Sequence, residues 1–292
     1  MQIESLKVFC DLAETTSFTK AAQINGVTQS AVSQQISALE NRLQAKFIER
    51  SKKKFTLTKE GKTLYKSSKQ IVQSYDELRH QIQEIQNVVT GTIKVVTIYS
   101  IGLHELPPFL KKYLKKYPTV NVSVEYRRAT QLYEDIITGI ADIGLVAYPQ
   151  KDPRLQVTSL DKDLLVLICH PEHELAQEPK VKLSEISKHK FIAFEPDIPT
   201  RRAIDKILRE RNVEVEHSME FDNIETVKRA VEINAGISIV PRSPVIQEVA
   251  KKTISIVEIE DEKFYRPLAA VHKKTKVLSP AMKEFLSLLK KG

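Results

Sequence analysis

Two rhythms divide the chain. Over the first ninety residues apolar positions recur every three or four residues, and beyond Gly91 short apolar runs alternate with helical stretches. Ile3, Leu6, Phe9, Cys10 and Ala13 mark one face of a first helix. SFTKAA at 17–22 opens a second, short helix, which Asn25-Gly26-Val27 breaks, Gly26 supplying the freedom in φ that a tight turn needs. Thr28 is a good N-cap for a third helix, on which Val32, Ile36 and Leu39 fall on one face. Between 46 and 58, RSKKKFTLT alternates and ends in β formers, which predicts a hairpin.

From Lys59 to Val89 there is no proline, and the only glycine, Gly61, lies in the first turn. Leu64, Ile71, Leu78 and Ile85 stand seven apart, and Ser68, Tyr75, Ile82 and Val89 follow each by four, an a/d heptad seam imperfect at Ser68. At 1.5 Å per residue the stretch predicts a helix of roughly 46 Å, ended by Gly91. A helix that long with one apolar seam needs a partner. It either packs along its own domain or joins two copies of the chain. The second reading is favoured, with Leu64, Ile71, Leu78 and Ile85 as dimerisation residues.

Beyond Gly91 the pattern is α/β. Strand TIKVVTI, a helix from Gly102 to Lys116, strand VNVSVEY, a helix from Thr130 to Ile140 and strand DIGLVAY form one block. LLVLICH, FIAF, a helix over 199–211, VEHSMEF, a helix over 223–234, GISIV, ISIVEI, FYRPLAAVH and a final helix complete the chain. Strands alternating with helices predict mainly parallel sheets, and two such blocks predict two lobes with a ligand crevice at the carboxyl ends of the strands.

The third helix is unusual in its polar face. Gln29, Ser30, Ser33 and Gln34 occupy positions where surface helices carry Glu, Lys or Arg. A helix, a glycine turn and a second helix is the plan that places its second helix in the DNA major groove. Short Gln and Ser side chains read base edges there, and Ala31 can meet a thymine methyl. The hairpin then supplies Arg50, Lys52, Lys53 and Lys54 for the phosphate backbone. A polar helix beside a solvated charge run is the plain alternative; it explains each feature singly but not their order. The candidate DNA-binding residues are therefore Thr28, Gln29, Ser30, Ala31, Ser33, Gln34, Arg50, Lys52, Lys53 and Lys54.

Charge supports this only through its placement. The chain has 292 residues and a net charge of +8, and the first 90 residues, with 13 Lys/Arg and 9 Asp/Glu, carry half of that excess. At 41% hydrophobic and 28% charged the composition is globular. No apolar run approaches membrane-spanning length. MQIESLKVFCDLAETT lacks a basic segment before an apolar core, so no secretory leader and a cytoplasmic location are expected. Cys10 and Cys169 sit in apolar runs and read as buried hydrophobes. CHPEH at 169–173 invites a metal reading, but no second ligand group stands at a characteristic spacing. No metal, no cofactor and no catalytic function are expected, since HExxH, P-loop and nucleophile-elbow motifs are missing.

LKVFCDLAETTSFTKAAQINGVTQSAVSQQISALENRL and FIERSKKKFTLTKEG resemble the winged helix-turn-helix of LysR-type transcriptional regulators. The sequence departs from the family's pattern at Ser30, where proline is common, and at Gln44, where glycine is common. The resemblance extends over essentially the whole chain. It implies a winged helix-turn-helix at 1–58, a linker and dimerisation helix at 59–90, and a two-lobed α/β effector domain like periplasmic binding proteins at 91–292. Lobe I would take about 91–161 and 267–292, and lobe II about 162–266. GTIKVVTIYSIGLHELPPFL is similar to the family's first effector-domain strand and helix, RRATQLYEDIITGIADIGLV to the next unit, and EPDIPTRRAIDKIL to the second lobe's cleft helix. The implied effector-binding residues are Ser100, Ile101, Thr130, Thr200 and Arg201. Ser100, Thr130 and Thr200 each precede or open an expected helix, where free N–H groups and hydroxyls favour a small anion, although Ser and Thr are also ordinary caps. The implied partners are double-stranded promoter DNA, a small, anionic metabolite, RNA polymerase and the chain itself, as a dimer that pairs into tetramers. A DNA-binding regulator without an effector is one alternative. A solute-binding protein is another, against which the helix-turn-helix and the lack of a leader both argue.

Overall fold

The computed structural model describes residues 2–51 and 54–290. Three helices open the chain, α1 (Ile3–Thr15), α2 (Phe18–Asn25) and α3 (Gln29–Leu43), followed by a hairpin of β1 (Ile48–Ser51) and β2 (Lys54–Leu57). Their core is Leu6, Phe9, Leu12, Val32, Ile36 and Phe47. Gly26 ends α2 at φ +64°, as the turn requires. Ser17 caps α2 by accepting the Lys20 N–H, and Thr28 caps α3 by accepting the Ala31 N–H.

The linker helix α4 (Lys59–Ile85) is capped by Thr58. Its 27 residues make it about 40 Å long. It ends before the expected position near residue 90. Gln86 closes it and Asn87 takes a left-handed φ of 52°, whereas Gly91 opens the next strand. Val89, assigned to the heptad seam, lies beyond the helix against the core of the following domain.

The remainder comprises β3 (Gly91–Thr97), α5 (Leu106–Lys116), β4 (Val120–Tyr126), α6 (Ala129–Thr138), β5 (Ile143–Ala147), β6 (Leu155–Cys169), β7 (Lys180–Val181), α7 (Leu183–Ile186), β8 (Lys190–Phe194), α8 (Pro199–Glu210), β9 (Glu216–Phe221), α9 (Ile224–Glu232), β10 (Ser238–Pro241), α10 (Ile246–Ala250), β11 (Ser255–Ile259), β12 (Tyr265–Lys273) and α11 (Pro280–Lys290). Strands run β4-β3-β5-β12-β6-β11-β7, with β10 also on β6, and β8-β9 form a separate pair. The parallel expectation holds for β3 with β4 and β5, for β8 with β9 and for β7 with β11. It fails for β12 and β6, which run antiparallel to their neighbours. The reason is topological. β6 is a 15-residue strand whose first part pairs with β12 in lobe I and whose last residues pair with β10 and β11 in lobe II. Chain that passes from one lobe to the other and returns must run in opposite directions.

The helix expected from Gly102 begins instead as a π-helical turn, Ile101–Glu105, that runs into α5. Pro107 and Pro108 lack the N–H groups that would continue a regular ladder back into this turn. Gly102 is needed for closeness: a Cβ there would lie 2.4 Å from Thr97 Cγ2 and 2.7 Å from Tyr126 Cε1. Single π turns of this kind are frequent at functional sites.

Candidate functional site

The third helix presents its polar face as expected. Gln29, Ser30 and Gln34 are exposed, Ala31 and Ser33 half-buried, and Val32, Ile36 and Leu39 are packed beneath. Arg50 and Lys54 lie on the two hairpin strands, paired with Phe55 and Ser51 respectively. Lys52 and Lys53 lie outside the described residues.

One residue that orients this surface escaped the sequence reading. Glu40 is buried at the end of α3, accepts the Phe47 N–H at 3.0 Å and pairs with Lys46 at 2.7 Å. Burial alone would raise its pKa, but Lys46 and the Phe47 and Ile48 N–H groups outweigh it and hold the carboxyl below its ordinary range. The carboxylate thus fixes the hairpin to α3. A signal existed: Glu40 follows Val32 and Ile36 at four-residue steps, an acid on the apolar stripe.

On α4 the seam splits. Leu64 packs with the helix-turn-helix core, and Ser68 is fully buried. Ile71, Tyr75, Leu78, Ile82 and Ile85 stand exposed along the helix, Ile85 at 81%. Leu64 therefore does intramolecular work, and the unpartnered stripe begins at Ile71.

In the two-lobed α/β domain a cleft between the lobes is lined by Ser100, Thr130 and Thr200, so three of the five expected residues come together. Ser100 precedes the π turn, while Thr130 and Thr200 are the second residues of α6 and α8, and none of them caps a helix through its side chain. The other two depart from expectation. Ile101 sits in the lobe I core. Arg201 is turned inward: Nε donates to both Asp205 oxygens at 2.7 and 2.9 Å, Nη1 to the Phe194 carbonyl at 2.6 Å and Glu220 at 2.7 Å, and Nη2 meets His217 Nδ1 at 3.1 Å. Its fork is spent holding α8 to β8 and β9.

Three other arginines line the cleft, Arg127, Arg128 and Arg266; of these Arg266, at the start of β12, is buried at 1% exposure. Its Nη1 donates to Ser100 Oγ at 2.9 Å and its Nη2 to Asp163 Oδ2 at 3.3 Å, while Nε is buried without a partner among the described residues. Burial depresses its pKa against the opposing pull of Asp163 and Glu105, yet a guanidinium stays charged. Burial, with Asp163 adding to it, raises the Glu105 carboxyl. Nothing in the spacing of FYRPLAAVH marks this arginine except its presence in an otherwise apolar strand.

Two sets of polar contacts join the lobes, the first of them at the cleft. Arg128 of lobe I meets Glu195 at 2.9 Å and Asp197 and Asp222 at 3.3 Å. His104 Nε2 lies 2.7 Å from Glu225 Oε1 at the start of α9. Phe194, Ile198, Ile224 and Pro241 give apolar wall. A small ligand with both polar and apolar parts suits such a cleft. Cys169 packs in the lobe II core, and among the described residues no group of three or more His, Cys, Asp or Glu is arranged to hold a metal. Nor is any described helix long and apolar enough to cross a membrane.

Comparison with known proteins places both halves. Residues 3–62 match the model of the bacterial regulatory helix-turn-helix protein, lysR family, and residues 86–292 match the LysR substrate binding domain. The HTH-type transcriptional regulator CysL of Bacillus subtilis is 28% identical over 290 residues, covering 99% of this chain and 97% of its own. A full-length OxyR variant from Pseudomonas aeruginosa shares the fold with a TM-score of 0.74 at 20% identity, over 99% of this chain and 98% of that one. The regulatory domain of Synechocystis PCC6803 CcmR in complex with 2-PG gives a TM-score of 0.64 at 23% identity, over 69% of this chain and 97% of that one. The chain, with its helix-turn-helix, helical linker and two-lobed α/β domain, belongs to the LysR family of transcriptional regulators and is not an enzyme.

Proposed function

We propose that this regulator is controlled by a small metabolite carrying an acid group, bound between the lobes against Ser100, Thr200 and Arg266. The observation that carries the reading is the buried Arg266 guanidinium lining the cleft with its Nε–H unpartnered among the described residues. A buried donor without an acceptor costs of order 1–3 kcal/mol, which an acceptor brought by a ligand recovers. The CcmR regulatory domain, which shares this fold, is solved in complex with 2-PG, and this supports a small-molecule ligand for the domain. DNA is read by Gln29, Ser30, Ser33 and Gln34, with Arg50, Lys52, Lys53 and Lys54 on phosphates. The exposed stripe from Ile71 to Ile85 joins two chains, and effector-domain contacts pair these dimers into tetramers. Contact with RNA polymerase completes the regulatory output.

The test is titration calorimetry of the full chain with a panel of mono- and dicarboxylates and phosphorylated acids. Saturable binding that Ser100→Ala and Thr200→Val each abolish, with DNA binding retained, is the expected result. Acid ligands binding those variants as tightly as the parent overturn the cleft assignment.

A further inference from the structure

The DNA-binding domain touches the effector domain of its own chain away from the linker, and the contact is ionic. Lys273, the last residue of β12, meets Glu14 of α1 at 2.5 Å. Lys20 of α2 meets Glu134 of α6, also at 2.5 Å. Glu14 is also held from α4, by Tyr65 at 2.8 Å and Lys69 at 2.9 Å, so one carboxylate ties together three parts of the chain. Beside it Asp11 and Lys276 line the same cavity between the two domains.

The make-up of this junction marks it as reversible. Ion pairs cross it beside an open cavity lined mostly by charged and polar residues, with Cys10, Ile24, Val72, Ile136 and Val277 supplying the apolar part of its wall. Polar interfaces between domains of one chain permit relative motion by default, whereas permanent ones bury apolar area. The Lys20–Glu134 pair is exposed, and exposed ion pairs contribute little stability and exchange readily for other partners.

One of the engaged groups has another use. Lys20 lies in the first turn of α2, the helix that crosses the phosphate backbone when a helix-turn-helix docks on DNA. A lysine held by Glu134 is unavailable to a phosphate. We infer that lobe I carries a docking surface for the chain's own helix-turn-helix, Lys273 and Glu134 facing Glu14 and Lys20, and that this latch competes with DNA. The inference rests on α2 and α3 being the DNA-facing elements. A ligand that shifts lobe I relative to α4 biases the latch, and DNA binding biases the ligand equally.

The pairs allow a direct test on the unaltered protein. A carbodiimide joins a lysine to a carboxylate only where the two are in contact. Mass spectrometry of the treated free chain is expected to show Lys273–Glu14 and Lys20–Glu134 links, both lost when a fluorescein-labelled duplex of about 40 base pairs, some four helical turns, is added to saturation. Absence of these links in the free chain, or their persistence on DNA, overturns the latch. Lys273→Gln gives an opposite-sign test. Removing a positive charge by itself weakens binding to DNA, but freeing the latch tightens it, here by at least about fivefold, the lower end of allosteric couplings. Unchanged or weaker binding of Lys273→Gln to the duplex overturns the proposal. A parent chain that binds no duplex at all overturns instead the assignment of α2 and α3 to DNA.

Discussion

Arg266 Nη1 lies 2.9 Å from the Oγ of Ser100, a residue 166 positions earlier in the chain, and the same guanidinium reaches Asp163 through Nη2. The bond joins the start of β12 to the turn before α5 across the floor of the cleft. Replacing Arg266 with Leu leaves Asp163 buried without its cation, beside Glu105. A loss of about 3–5 kcal/mol is expected, read as a lower urea midpoint. Ser100→Ala removes only one acceptor and is expected to cost of order 1–3 kcal/mol. Equal midpoints for parent and Arg266→Leu would show that the buried pair contributes nothing.

Glu40 ties α3 to the hairpin through the Phe47 N–H. Glu40→Ala leaves that buried donor unmatched, at roughly 1–3 kcal/mol. Its folded pKa is lowered, so its contribution is present above the ordinary carboxylate range and is lost as pH falls below it. The variant and parent should therefore converge in stability in acid. A gap that stays constant from neutral pH down to about pH 3, below the ordinary carboxylate range, rules out the carboxylate as the source.

Base reading is tested by selection from random duplexes. Gln29→Ala should lose discrimination at one base pair per half-site, worth about 1–3 kcal/mol, while its affinity for unselected DNA is kept. An identical selected consensus for parent and variant removes Gln29 from the reading surface.

The stripe on α4 makes a prediction about mass. Ile71, Leu78 and Ile85 are exposed in the single chain, whereas Leu64 is half-buried against the helix-turn-helix core. Ile71→Glu with Leu78→Glu should halve the mass seen by light scattering and leave the fold intact by circular dichroism. Leu64→Glu should instead destabilise the helix-turn-helix. Unchanged mass for the double variant excludes the stripe as an interface.

The elements were legible because their patterns are local. Val32, Ile36 and Leu39 define α3 from spacing, and Thr28 caps it as its side chain allows. Heptads located α4 but not its end, because the Gln86 cap and the left-handed Asn87 after it have no periodic signature. The cleft was half legible. Ser100, Thr130 and Thr200 converge as the family pattern implies. That Arg201 turns inward was not legible, because an arginine after a helix-opening threonine looks the same whether it faces a cleft or Asp205 and Glu220. Arg266 was missed because its partners, Ser100 and Asp163, are 166 and 103 residues away, and only the fold brings them near.

Asp11, in the cavity between α1 and lobe I, yields a pH prediction of definite sign. Burial raises its carboxyl from 3.8 to about 6, with Glu14 adding to this, while the Asn25 side chain at 2.7 Å, Lys273 and Lys276 pull the other way. A carboxyl raised on folding favours the fold when protonated. Its contribution is complete below the unfolded value and is lost as pH rises through about 6. Glu14 behaves oppositely. Burial works to raise it, but Lys273, Lys69 and Tyr65 hold it down at about 2, so its contribution persists above 4.5 and fades only as pH falls toward 2. Between 4.5 and 6 both groups favour the folded, docked chain. Asp11→Asn removes the cost of the buried charge, so it should stabilise the protein at about pH 7.5 by up to about 3 kcal/mol, roughly two units at about 1.36 each. The gain should shrink to roughly a third at about pH 4.5, where Asp11 is already protonated in the fold. Urea unfolding of parent and variant at both pH values checks it. A variant no more stable than the parent at the higher pH, or equally favoured at both, shows that the Asp11 carboxylate is not held out of water at this junction.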